Sequence, residues 1–207
     1  FSRFNNLQKE EQNEFASTGF YYTPLEIANV ISEIAMATKP KKIADICNGF
    51  SNILHFISGC PVVDAYEPNG DIRKLAQYTF PNFRILGDSL KSTDTDLYDM
   101  IVCELRIGRL WTNNGSDSLE ESYFKKTLQM LKHDGCGLCV IPNSLLMLEV
   151  FSRFRTDFIN QIGSLTVIEL PAIHPRVINQ SLIVFEKGKE LKQVRFLKYK
   201  NARDTVD

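Results

Sequence analysis

What this chain has little of narrows its reading at once. No run approaches the ~20 apolar residues that a membrane-spanning helix needs, and the first residues, Phe1-Ser2-Arg3-Phe4-Asn5, lack a secretory-signal pattern. A cytosolic setting is expected, and the absence of an initiating Met suggests a fragment or trimmed chain. Charge of one sign is also missing: 24 Lys and Arg stand against 25 Asp and Glu, a net charge of −1. That balance leaves little for a sequence-independent grip on nucleic acid, so any such contact needs a local patch or a partner. The five cysteines are odd in number and show no framework spacing, as in reduced thiols. Cys136-Gly137-Leu138-Cys139 has CxxC spacing but lies in an apolar run read as a strand, where residues three apart point to opposite faces. Core packing is the better reading there. His55, His133 and His174 share no ligand spacing, and no metal is expected.

What is present begins with Ile43-Ala44-Asp45-Ile46-Cys47-Asn48-Gly49-Phe50-Ser51-Asn52-Ile53-Leu54. A short apolar run ends in an acid, a turn with a single Gly follows, and apolar spacing at Phe50, Ile53, Leu54 and Ile57 predicts a helix. Such a turn at the carboxyl end of a central strand is where a nucleotide-like ligand meets backbone N–H groups. Only one Gly stands where dinucleotide fingerprints carry three, so this segment alone also fits a bare strand-to-helix connection.

In chain order, residues 1–18 read as a polar lead-in. Gly19-Phe20-Tyr21-Tyr22-Thr23-Pro24 is an aromatic loop, with Thr23 placed as N-cap and Pro24 as first residue of a helix to about Ala37. Strands are expected at about Lys42–Cys47, Pro61–Glu67, Phe83–Ser89, Tyr98–Cys103, Cys136–Ile141, Leu165–Leu170, Ser181–Lys187 and Val194–Lys198. Helices are expected at Phe50–Ser58, through Ile72, Leu75, Ala76 and Tyr78, at Leu119–Leu131 with Ser118 as cap, and from Pro142-Asn143-Ser144 to about Phe158. The stretch from Asn113 to Ser118 reads as a flexible loop. Glu67 ends the second strand, where a carboxylate suits ribose hydroxyls, and a solvated strand-end acid is the plainer alternative. Alternation that turns to consecutive strands after residue 170 predicts an α/β fold with a mostly parallel sheet and an antiparallel end. One domain fits 207 residues.

Taken together, these segments resemble the S-adenosylmethionine-dependent adenine-N6 DNA methyltransferases, above all the modification subunits of type I restriction systems. The resemblance covers roughly residues 19–188. Gly19 to Pro24 looks like the family's aromatic-Thr-Pro motif, and Asp45 to Ile53 like its Asp-Pro-x-Cys-Gly-Ser-Gly-Gly loop. Asp134 to Leu146, Ile168 to Ala172 and Ser181 to Lys187 are similar to its later strands. It implies a Rossmann-like class I methyltransferase fold of about seven strands with helices on both faces, spanning 19–200 between the lead-in and a tail at 201–207. It implies S-adenosylmethionine as cofactor, with Tyr22, Thr23 and Asp45 near the amino acid moiety, Gly49 against its backbone, Glu67 at the ribose and Asp88 at the adenine amine.

The family's catalytic motif, Asn or Asp, then Pro-Pro, then an aromatic, accepts hydrogen bonds from the target amine and stacks on the flipped base. Here the equivalent positions read Cys103-Glu104-Leu105-Arg106. Cys is a poor acceptor, the prolines are gone, and the aromatic is Arg. The expectation is therefore a methyltransferase-like domain of restriction-modification type with impaired catalysis. The alternatives are an active enzyme with a divergent loop and a non-enzymatic cofactor-sensing or assembly module. In the resemblance, DNA and restriction-modification subunits are partners met through another domain or subunit. Phe50, Ser51 and Asn52 stand where small residues are expected and would crowd the ligand. Trp111, beside Arg106 and Arg109, is a candidate base-stacking residue or a surface contact.

Overall fold

A computed structural model describes residues 23–49, 51, 53–57, 59–105, 109–112, 115–171, 179–188 and 190–199, with 109–112 and 115–117 given by backbone alone. The apolar runs predicted as strands become β1 (Lys42–Asp45), β2 (Val62–Tyr66), β3 (Arg84–Leu86), β4 (Tyr98–Glu104), β7 (Leu131–Pro142), β8 (Ile162–Glu169), β9 (Gln180–Lys187) and β10 (Gln193–Lys198). They form one sheet in the order β10-β8-β9-β7-β4-β1-β2-β3. β1 pairs in parallel with β2 and β4, and β4 with β7. β9 runs antiparallel between β7 and β8, so the antiparallel strand lies inside the sheet and the parallel β10 forms its edge.

Central strands are apolar on both faces because both faces are covered. Ile43, Met100 and Val102 pack with Ile27, Ile31 and Ala35 of α1 (Leu25–Ala37). Ala44, Ile101 and Cys103 belong to the opposite core, with Phe124 of α3 (Leu119–Met130) and Phe158 of α5 (Ser152–Ile159). Helices α2 (Gly70–Thr79) and α4 (Asn143–Met147) complete the set. Cys136 and Cys139 fall on opposite faces, in different cores, as the strand reading of CxxC requires.

Several expectations change. Pro24, not Thr23, is the N-cap of α1, and helix geometry begins at Leu25. The helix expected over Phe50–Ser58 is, among its described residues, a 3₁₀ turn at Leu54–Phe56. Ser51 at φ 63 and Gly59 at φ 76 bound it with left-handed backbone that no helix continues through. The helix expected from Asn143 to Phe158 is broken at Leu148, which is extended at ψ 139. Arg155 Nη1 takes the freed carbonyls of Leu145 and Leu148 at 3.1 and 2.7 Å. The loop expected before α3 carries an antiparallel ribbon, β5 (Arg109–Thr112) with β6 (Gly115–Ser118). In α2 Leu75 and Tyr78 are exposed, and Ala76 is its buried contact. Among the described residues no helix is long and apolar enough to cross a membrane.

Candidate functional site

From β1 the chain steps outward through β2 and β3, then returns to place β4 on the other side of β1. In open α/β sheets the ligand crevice lies where strand order reverses, beyond the carboxyl ends of the strands, which here are those of β1 and β4. Asp45 ends β1 and Glu104 ends β4, so the fold brings these two sequence-marked acids to the same crevice.

The turn after β1 is fastened strand by strand. Asp45 Oδ1 accepts from Cys47 N–H at 2.9 Å, a local side-chain turn. Asn48 N–H donates to Tyr66 C=O at 3.0 Å, Glu67 N–H to Leu86 C=O at 3.1 Å, and Ser89 Oγ to Ile46 C=O at 2.8 Å. Glu67 is fully buried. Its Oε2 accepts from Gly49 N–H at 3.1 Å and its Oε1 from Asn69 N–H at 2.8 Å, so the carboxylate joins the first turn to the second. Asp88 is partly exposed and accepts from Leu90 N–H at 3.0 Å, capping the 3₁₀ turn Ser89–Lys91.

Gly49 lies at φ 54, a conformation open to glycine, and Ser51 takes the same region at φ 63 with a Cβ attached. That costs Ser51 about 1–2 kcal/mol. The Ser51 Oγ and Asn48 Oδ1 atoms are buried with no hydrogen-bond partner, at roughly 1–3 kcal/mol each. Costs concentrated in one turn of an otherwise well-bonded strand end mark a position shaped by something besides stability.

Across the crevice, Thr23 Oγ1 donates to Glu104 Oε2 at 2.5 Å, and Gln180 Nε2 to Glu104 Oε1 at 3.3 Å. Ser181 Oγ donates to Asn143 Oδ1 at 2.8 Å beside them. Burial pushes the Glu104 carboxyl above the usual carboxylate range, against the opposing pull of the Thr23 and Gln180 donors. Cys103 is fully buried, with its Sγ 3.3 Å from Cys139 Sγ. The Cys139 contact and burial both hold its thiol well above the ordinary value. Alternation along β4 thus turns Cys103 into the core and Glu104 into the crevice, and Leu105 is buried.

No protein-family model matches the chain, and no curated protein matches it by sequence. Solved structures do. A protein from Listeria monocytogenes, described as a class I S-adenosylmethionine-dependent methyltransferase, superposes with a TM-score of 0.76 at 15% identity, over 88% of this chain and 67% of that one. A type I restriction-enzyme modification subunit from Vibrio vulnificus gives 0.72 at 13% identity, over 97% and 52%. The methyltransferase subunit of a type I restriction-modification system from Streptococcus thermophilus gives 0.67 at 17%, over 86% and 47%. The fold is that of the class I methyltransferases. The chain spans about half the length of the modification subunits it matches.

Among the described residues, Thr23, Asp45, Gly49, Glu67, Asp88 and Glu104 lie at or beside the carboxyl ends of β1 to β4. Thr23 and Glu104 share one hydrogen bond, while Glu67 and Gly49 share another. Asp88 stands at the exit of β3, one residue before the Ser89 hydroxyl that holds Ile46. Tyr22, Phe50, Asn52, Arg106 and His174 lie outside the described residues, as does the Trp111 side chain. Gln180 was not marked by sequence, and Asn48 and Ser51 were marked only as part of the cofactor-like loop, Ser51 as one of the residues expected to crowd the ligand. Gln180 reaches Glu104 only because β9 returns antiparallel beside β7, a pairing with no local signature. Among the described residues no cluster of His, Cys, Asp or Glu is placed to hold a metal.

Proposed function

We propose that this domain is an S-adenosylmethionine-binding, adenine-N6 DNA methyltransferase-like module of restriction-modification type in which methyl transfer is impaired. The observation that carries this reading is the Thr23–Glu104–Gln180 contact at the end of β4. The family's acceptor position is Cys103, turned into the core, and the carboxyl group one position along, Glu104, accepts from Thr23, the hydroxyl assigned to the cofactor's amino acid end. Glu104 and Leu105 stand where a rigid proline pair would hold the acceptor carbonyl toward a flipped base, and Arg106 stands where the aromatic would stack on it.

The residues fit a nucleoside cofactor. Two sheltered, unpartnered acceptors in the first turn call for donor groups, and Asp45, Gly49, Glu67 and Asp88 surround the same strand ends. When bound, S-adenosylmethionine supplies a sulfonium methyl group. Asp88 is assigned to the adenine amine, where a carboxylate suits an N–H donor. Asp45, buried at the end of β1 and bonded to Cys47 N–H, is assigned to the amino acid end of the cofactor. Contact with DNA and with modification-type partner subunits belongs to this proposal and is supported by the likeness to modification subunits.

Calorimetric titration with S-adenosylmethionine tests it, with Glu67→Ala and Asp88→Ala as controls. Micromolar binding that both substitutions weaken, together with no methyl transfer to DNA, is the expected result. Transfer by the unaltered chain would overturn the impairment, and no heat at high cofactor concentration would leave a scaffold role in its place.

A further inference from the structure

We infer that the Glu104 carboxylate selects the methylated, positively charged form of the cofactor over its neutral demethylated product; this rests on the cofactor reading above and deepens it. A methyl donor turns its sulfonium toward the acceptor place, which the resemblance puts at the end of β4. In the family's motif the second position there is an uncharged proline, and this chain carries an acid. Glu104 is not sealed. It is partly exposed, between Cys103 and Leu105, which are both buried.

Two donors fix where the carboxyl group lies. Thr23 Oγ1 donates to Oε2 at 2.5 Å and Gln180 Nε2 to Oε1 at 3.3 Å. Both of these described donors are neutral, so they steady the carboxyl group without cancelling its charge. Thr23 is the hydroxyl assigned to the cofactor's amino acid end, and the sulfonium sulfur joins that end to the nucleoside. A carboxylate bonded to Thr23 therefore stands on the sulfonium's side of the crevice.

A sulfonium offers no N–H or O–H, so charge is what tells it from a thioether. An opposite charge within ~10 Å, at an effective dielectric of about 20, corresponds to a preference on the order of 10-fold. Burial holds the Glu104 carboxyl toward its neutral form, so a bound cation draws off its proton. Affinity for the sulfonium then rises with pH through that titration, and affinity for the thioether does not. The other acids near these elements are Asp45, buried and bonded to Cys47 N–H at the end of β1, and Glu26, exposed in the first turn of α1. A change at Glu104 leaves both in place.

The test is calorimetric titration of the whole chain with S-adenosylmethionine, with S-adenosylhomocysteine and with sinefungin, which carries an ammonium group where the sulfonium stands. Titrations at about pH 5 and about pH 7 stay below the range in which an α-amino group loses its proton. Near pH 7 the unaltered chain should bind both cationic ligands about 10-fold more tightly than S-adenosylhomocysteine, and the preference should narrow toward pH 5. Glu104→Gln, checked for folding by circular dichroism, should bind all three alike at either pH. Asp88→Ala should weaken all three and keep the preference. The comparison of ligands on the unaltered chain stands even where a variant fails to fold. Equal affinities there, or a preference that Glu104→Gln retains, would overturn the inference and leave the cofactor reading in place. Absence of binding of any of the three by the unaltered chain would overturn both.

Discussion

At the end of β4 the Glu104 carboxyl group is held by two donors, Thr23 and Gln180. Glu104 carries a proton more readily than a free glutamate because burial disfavours its charged form, even with Thr23 and Gln180 donating to it. An acid whose pKa is raised on folding binds more protons folded than unfolded. Its stabilising effect is full below the ordinary carboxylate range and is lost as pH rises through the raised folded value. Glu104→Gln removes that penalty while keeping an oxygen for Thr23. The expected outcome is a variant close to the unaltered chain in thermal midpoint near pH 4 and more stable than it at pH 8. Melting curves across that range check it, and a gap that does not widen with pH would mean Glu104 is not held toward its neutral form. The resemblance frame set the acceptor at Cys103. The period of a strand turns that residue into the core and the next, Glu104, to the opposite side, where Thr23 and Gln180 reach it.

Between β7 and β9 the packing leaves no room for a methyl group. A Cβ on Gly137 would run into the Phe185 ring, which stacks on Phe124 at 5.6 Å and meets Phe158 edge-on at 5.1 Å. Gly137→Ala should cost about 1–3 kcal/mol through displacement of that aromatic cluster. Urea unfolding measures it, and the companion Gly137→Ala/Phe185→Leu should recover part of the loss if the ring is the obstacle. This element was legible as a strand from its apolar run, and so were the other seven of the main sheet: the central ones, covered on both faces, leave a strong compositional signal, while β10 is exposed along its whole length. The connections were harder to read. The apolar spacing over Phe50, Ile53, Leu54 and Ile57 satisfies a helix, yet Ser51 lies in left-handed backbone that the sequence does not announce. The break at Leu148 depends on Arg155, seven residues on, taking its carbonyl.

For the molecule as a whole, the reversal of strand order beside β1 gathers side chains from distant parts of the sequence into one crevice. Thr23 and Glu104 are 81 residues apart and Gln180 lies 76 beyond Glu104. The acids at the strand ends could be marked in advance because each closes its own apolar run. The contacts among them could not, since strand order is a property of the whole chain. The same reversal gives a cofactor a global effect. A ligand held as proposed would bridge the β1 turn, the β2 end and the β4 end, and its binding free energy would oppose unfolding of the entire sheet. At a free concentration of about 100 times Kd the stabilisation is about 2.7 kcal/mol, which for a chain of this size raises the thermal midpoint by roughly 5–10 °C. Differential scanning with about 1 mM S-adenosylmethionine should show that rise for a Kd near ~10 μM, and Asp88→Ala should diminish it. A ligand-induced rise without methyl transfer to DNA would separate the two halves of the crevice, a working cofactor side at β1 to β3 and a silent acceptor side at β4. An unmoved midpoint would mean that the fold persists here without its ligand, and that the costs stored in Asn48 and Ser51 serve something other than a nucleoside.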